Sequence, residues 1–466
     1  MTFFQALAIP AVILFFATGP ASAAEALDGA QLKAAWGLPF AGILLSIALC
    51  PLLIPHTWHR RYPLFALGWA LAVLIPLALA YGVPTALGAL VHTTIAEYLS
   101  FIVLLFALYV IAGGILVTGD LHGTPAVNTV ILAFGTVIAS IVGTTGAAMI
   151  LIRPLVRANI ARKHNAHVVV FFIFLVCNIG GALSPLGDPP LFLGFLRGVD
   201  FFWTTVHLWE PTLFVAGIVL AVFVVLDVAL SRRETVVWQR GDAPLRVHGL
   251  VNLVLLAGVI AAILASALWK PGIAFDIYGT PLELQNLLRD IALLALAGLS
   301  LWWTPNEHRA ANGFTFEPIR EVAILFAGIF VCIIPVMAML QAGADGVFAP
   351  LIQLVTTPDG AQHNAMYFWM TGALSGFLDN APTYLVFFGL AGGDPQVLMT
   401  TLAPTLAAIS MGAVYMGAMT YIGNAPNFMV FAIAVGSGIR MPGFLGYMGW
   451  SCAVLLPVFA LLMLVF

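Results

Sequence analysis

Leu374-Ser-Gly-Phe-Leu-Asp379-Asn380-Ala381-Pro382, followed by Thr383, sets an acid, an amide and a proline in the middle of apolar sequence. The apolar flanks, 367–377 and 384–391, are each shorter than the ~20 residues a helix needs to cross a bilayer. Pro382 removes a backbone N–H, and Gly376 loosens the helix just ahead of it. The stretch reads as a helical hairpin that enters a membrane and turns back at Asp379-Asn380. Irregular backbone at that depth persists only where it is buried in protein or lines a watery cavity. An ionisable residue there marks a candidate functional site.

Composition agrees with a lipid environment. Of 466 residues, 62% are hydrophobic and 8% charged, with a mean hydropathy of +1.06. Charged residues make up about a quarter of an ordinary soluble domain. The expected fold is therefore an all-α polytopic membrane protein. A net charge of -3 and the lack of a basic tail give no footprint for nucleic acid. Cys50, Cys177, Cys332 and Cys452 lie far apart in apolar runs, as small buried hydrophobes rather than disulfides or metal ligands. The sequence contains no phosphate-binding loop, hydrolytic triad or histidine cluster, so no cofactor, resident metal or ATP-driven step is expected.

Residues 1–24 combine an apolar core, a Gly19-Pro20 break and the small residues Ala21-Ser22-Ala23-Ala24, the pattern of a cleaved signal peptide. Beyond them the chain divides into N-terminal spans (25–98), a first unit (99–230), a polar linker (231–248), connecting spans (249–318) and a second unit (319–466). Apolar lengths predict roughly ten full spans plus two re-entrant hairpins, at 127–160 and 366–391. Twelve of the seventeen basic residues then fall on one face, among them Arg60, Arg61, Arg153, Arg157, Arg162, Arg240 and Arg309. That face is expected to be cytoplasmic, and the protein to be a multi-pass component of a bacterial inner membrane.

The second unit echoes the first. Ser140-Ile-Val-Gly143-Thr144-Thr145-Gly146-Ala147 aligns with Ser375-Gly-Phe-Leu378-Asp379-Asn380-Ala381-Pro382. Further on, Gly181-Ala-Leu-Ser-Pro-Leu-Gly187-Asp188-Pro189-Pro190 aligns with Gly417-Ala-Met-Thr-Tyr-Ile-Gly423-Asn424-Ala425-Pro426. Thr144 precedes Asp188 by 44 residues and Asp379 precedes Asn424 by 45. With the predicted spans the repeats are inverted, so two hairpin tips and two broken helices should meet near the bilayer midplane. Asp188 and Asp379 would converge there with oxygen and amide donors: Thr144, Thr145, Ser375, Thr383, Asn178, Asn380 and Asn424. Gly143, Gly146, Gly187, Gly423, Pro189, Pro190, Pro382 and Pro426 would shape the breaks. No Lys, Arg or His within the four motifs offsets the acids. An oxygen-rich, net-negative site suits a small hard cation. Competition between that cation and a proton is the simplest machine for exchange.

These motifs resemble the ion transporter superfamily, which groups NhaD-type sodium/proton antiporters, arsenite permeases and citrate or dicarboxylate carriers. The run Cys177-Asn178-Ile-Gly-Gly-Ala-Leu-Ser-Pro-Leu-Gly187-Asp188-Pro189-Pro190 is similar to the antiporter branch and to citrate-transport relatives. The resemblance implies a scaffold and a transport domain in each protomer, a homodimer and elevator-type movement. The first hairpin departs from the antiporter pattern, because Gly143-Thr144-Thr145-Gly146 lacks the acid expected there. Neither hairpin carries the Ser-Asn-Thr tip of the carboxylate carriers. On sequence alone the favoured function is sodium/proton antiport, with Na+ and H+ as the transported ions and Asp379 as the principal carrier. A citrate, dicarboxylate or metal–citrate carrier is the alternative, and a membrane-embedded enzyme a distant one.

Overall fold

The computed structural model describes residues 27–234 and 243–466. The expected signal peptide and Arg240 lie outside the described residues. Nine of the described helices are long and apolar enough to cross a membrane. A tenth arises if Glu317–Cys332 and Ile334–Gln341, bent by 42°, form one span. The named strands are confined to two short antiparallel pairs, Leu116–Thr118 with Arg246–His248 and Ala274–Ile277 with Thr280–Glu283. The protein is an all-α, multi-pass membrane protein.

One group of helices forms a framework. Leu38–Leu53, Pro55–Tyr81, Val83–Ala112, Val251–Leu268, Leu284–Trp303 and Glu317–Cys332 pack on one another. On Pro55–Tyr81 the residues Leu64, Leu67, Leu71, Ile75 and Leu79 remain exposed and recur every three or four positions, a stripe suited to lipid. The expected boundary between 98 and 99 cuts through Val83–Ala112, which is a single 30-residue helix. Glu97 interrupts the apolar run in sequence, but it sits in a π-helical turn, Thr93–Tyr98, that keeps the helix continuous. The predicted span 99–118 also ends early. Gly113 closes the helix, and Leu116–Thr118 leaves as a strand paired with the polar linker.

The second group carries the motifs. Pro125–Val142 and Thr144–Asn159 meet at Gly143 and pack together as the first hairpin. Ala166–Leu175 and Pro189–Leu196 are the halves of the first broken helix. The second hairpin is Asn364–Phe377 with Asn380–Leu390, and the second broken helix is Ala403–Met416 with Ala425–Gly436. The long helices Trp203–Ser231 and Phe444–Val465 support them. The stretch 167–182 is buried without interruption and forms the centre of this group.

The basic loops gather at one end of the molecule. Arg157 donates to the Val117 carbonyl, Arg153 to that of Asn312, and the strand Leu116–Thr118 ties the linker beside them. Asp227, near the end of Trp203–Ser231, is fully buried, accepting from Arg162 at 2.6 Å and Asn128 at 3.0 Å and bonded to His167 at 2.9 Å. A buried acid persists when partnered in this way. This cluster fastens the base of the first hairpin to the first broken helix and to Trp203–Ser231.

Candidate functional site

The unwound stretches form because glycines let the chain fold back on itself. A Cβ on Gly187 would lie 2.1 Å from the Gly181 carbonyl oxygen, and one on Gly423 would lie 2.6 Å from that of Gly417. The two Gly-x5-Gly segments are thus the same device used twice. Backbone angles match as well: Ser184 (φ -150, ψ 159) with Thr420 (φ -133, ψ 163), and Asp188 (φ -139, ψ 144) with Asn424 (φ -150, ψ 140). Ser184 donates through its hydroxyl to the Ser140 carbonyl, and Thr420 to that of Gly376.

Those bonds correct the alignment by one residue. Ser140 matches Gly376 rather than Ser375, Gly143 matches Asp379, and Thr144 matches Asn380. Gly143 and Asp379 both stand as N-caps of the returning hairpin helix. The separation of 44 then holds in both units. The acid missing from the first hairpin is therefore missing at Gly143, whose φ of 81° and ψ of 150° belong to a region that essentially only glycine occupies. Gly143→Asp should destabilise the protein by about 1–3 kcal/mol and lower transport. Thermal unfolding in detergent and uptake assays check this. A stable variant with faster cation transport would show that this tip accepts an acid.

All four expected meeting points converge on one carboxylate. Asp188 Oδ1 accepts from Thr144 Oγ1 at 2.9 Å and from Asn424 Nδ2 at 3.0 Å, and its Oδ2 accepts from Asn380 Nδ2 at 2.5 Å. One donor comes from each hairpin tip and one from the opposite broken helix. The Thr144 N–H also donates to the Gly187 carbonyl at 2.7 Å. Asp188 makes no side-chain cap bond to its own helix, so its carboxylate links elements rather than completing a turn. Asp379 behaves differently. Its Oδ1 accepts from the Ala381 N–H at 3.0 Å, the N-cap bond of Asn380–Leu390.

A cavity of about 510 Å³ joins these groups. Its inner wall includes Gly143, Thr144, Thr145, Gly187, Asp188, Asp379 and Asn424, and its mouth His59, Arg153, Asn312, Gly313 and Glu317 at the basic end. It runs between the framework and the motif-bearing group. Gly146, Pro189 and Pro426 also line it, whereas Pro190, Pro382 and Gly423 act from behind. Not every predicted donor reaches it. Ser375 is buried and donates to the Ala413 carbonyl at 2.6 Å, and Thr383 donates to the Asp379 carbonyl at 2.9 Å. Asn178 bonds to Asn427 Oδ1 at 2.8 Å and accepts from Asn424 at 3.3 Å, holding the two broken helices together. Asn380 reaches the site only through Asp188, and its Oδ1 is buried without a hydrogen-bond partner.

The structure also brings in residues that lie outside the motifs. Arg197, just after the first broken helix, pairs with Glu97 of the framework at 2.7 Å, at the end opposite the basic loops. Arg153 stands at the cavity mouth. Neither belongs to a repeated pattern, and a lone charge in an apolar run was the single available signal.

Helical hairpins meeting broken helices above a cavity, in a bundle of membrane-crossing helices, are the architecture of a membrane transporter. Residues 29–466 match the family described as "Putative citrate transport", and the chain belongs to that family. No curated protein matches the chain significantly.

Proposed function

We propose that the protein is a secondary-active carrier of citrate or a closely related small carboxylate, moved together with a cation held at Asp379 and Asp188. The observation that carries this reading is the pairing of two carboxylates on one cavity with neutral donors alone. No Lys or Arg bonds to either acid among the described residues. A free polycarboxylate would meet repulsion there, while a cation satisfies both acids and neutralises part of the substrate. Family membership supports citrate, and a cavity of about 510 Å³ falls within the range of small-molecule sites. The same donor set favours the second reading, sodium/proton antiport, in which the cation is the whole cargo.

Thermal shift in detergent separates the two. With citrate and Mg2+ or Na+ together, the melting temperature should rise more than the sum of the separate effects. Equal stabilisation by citrate in the presence of a chelator and without sodium would reject the proposal.

In this reading the basic end is cytoplasmic, the membrane is a bacterial inner membrane and the cavity is the inward-open site. The matched units are inverted and the motif-bearing group moves against the framework, in a homodimer. The Glu97–Arg197 pair then closes the outer end and separates during each cycle. Cysteines at positions 97 and 197, once linked by a short crosslinker, should reduce uptake to background, and reduction should restore it. Wild-type uptake in the linked protein would show that this end does not open.

A further inference from the structure

Among largely apolar walls, the polar side chains at the inner end of the cavity are the acids Asp188 and Asp379, the hydroxyls of Thr144 and Thr145 and the amide of Asn424, so the proposed carboxylate substrate needs a cationic partner elsewhere. Arg153 is the single Arg or Lys lining the cavity among the described residues. It projects from the same face of Thr144–Asn159 as Met149 and Thr145, one and two turns nearer the tip respectively, and all three line the cavity. Helical side chains lean toward the helix N-terminus, which here is the hairpin tip where Thr144 donates to Asp188. The guanidinium is also held in place. Its Nε donates to the Asn312 carbonyl at 2.7 Å, and its terminal nitrogen packs against Gly313, where a Cβ would lie 2.1 Å away. Asn312 is fixed in turn by bonds from its amide to the carbonyls of Gly113 and Ile115. The two terminal nitrogens hydrogen-bond to no other described residue, and no carboxylate pairs with Arg153, although Glu317 lines the same cavity.

We propose that Arg153 is a specificity-determining ligand that receives a carboxylate of the substrate at the cavity mouth while the cation sits at Asp379 and Asp188. This rests on the carboxylate-carrier reading and deepens it. A planar fork with its Nε already anchored offers two parallel N–H donors, the geometry that suits a carboxylate. Such a ligand discriminates by the number of carboxylates. A substrate that keeps a carboxylate free after binding the cation gains from Arg153, and one without a spare carboxylate does not.

The test is uptake into proteoliposomes of labelled citrate, and of an analogue with one carboxylate converted to an amide, by wild type, Arg153→Gln and Arg153→Lys. Arg153→Gln should raise KM for citrate roughly tenfold to a hundredfold with a nearly unchanged maximal rate. It should also erase the preference for citrate over the amide, while Arg153→Lys restores part of both. Two results overturn the inference while leaving the carrier reading intact. One is an unchanged citrate KM in Arg153→Gln. The other is an equal fall in maximal rate for Gln and Lys at constant KM, the sign of a bond that only braces the hairpin against Asn312. Wild-type protein that takes up no citrate with any cation overturns both proposals.

Discussion

Asp379→Asn is expected to cut cation-dependent transport by about a hundredfold or more while leaving the protein folded. The size follows from removing one charged oxygen donor from a low-dielectric site, a loss of about 3 kcal/mol. The intact fold follows from the observed role of the side chain. Asp379 Oδ1 caps Asn380–Leu390 through the Ala381 N–H, and asparagine caps a helix as well as aspartate does. The substitution therefore removes charge and keeps the hairpin tip. Asp379→Ala should add the loss of the cap, about 1 kcal/mol, visible as a lower melting temperature. Melting and uptake measured on both variants separate the two contributions. Normal transport by Asp379→Asn would assign the residue to capping alone.

The second large effect belongs to Asp188, and it divides by substituent. Asp188→Leu removes the acceptor for Thr144, Asn380 and Asn424 at once. Each buried donor left unpaired costs about 1–3 kcal/mol, so this variant should fail to accumulate as folded protein. Asp188→Asn should fold, because Asn380 carries a buried Oδ1 without a partner. A flip of that amide turns the Oδ1 toward the new NH2 and restores the bond. The fold then survives while the site loses a negative charge, and the cation KM should rise tenfold to a hundredfold. An unchanged cation affinity would reduce Asp188 to a structural link between the hairpins.

Much of this architecture was legible in the sequence because bilayer-length apolar runs and breaks inside them are strong local signals. The Asp379-Asn380 break, the Gly-x5-Gly segments and the convergence of the four motifs all follow from such signals. The one-residue slip in the repeat alignment arose where letter identity and geometry disagreed. Ser140 and Ser375 look alike, but the backbone carbonyls accepting from Ser184 and Thr420 belong to Ser140 and Gly376. Ser375 and Thr383 were expected at the site for their hydroxyls, yet both hydroxyls donate to backbone carbonyls. Side-chain direction on a helix decides that, and composition does not report it. Pairings across the fold, such as Glu97 with Arg197 and Asp227 with Arg162, depend on long-range packing and leave no local pattern.

Transport in proteoliposomes tests the central claim most directly. Labelled citrate would be supplied with Mg2+, with Na+ and with a chelator in sodium-free buffer, while a pH dye records protons, for wild type and Asp379→Asn. The account predicts citrate uptake that requires one of the cations and is lost in Asp379→Asn. Sodium-driven proton movement without citrate uptake would contradict it and make the cation the whole cargo.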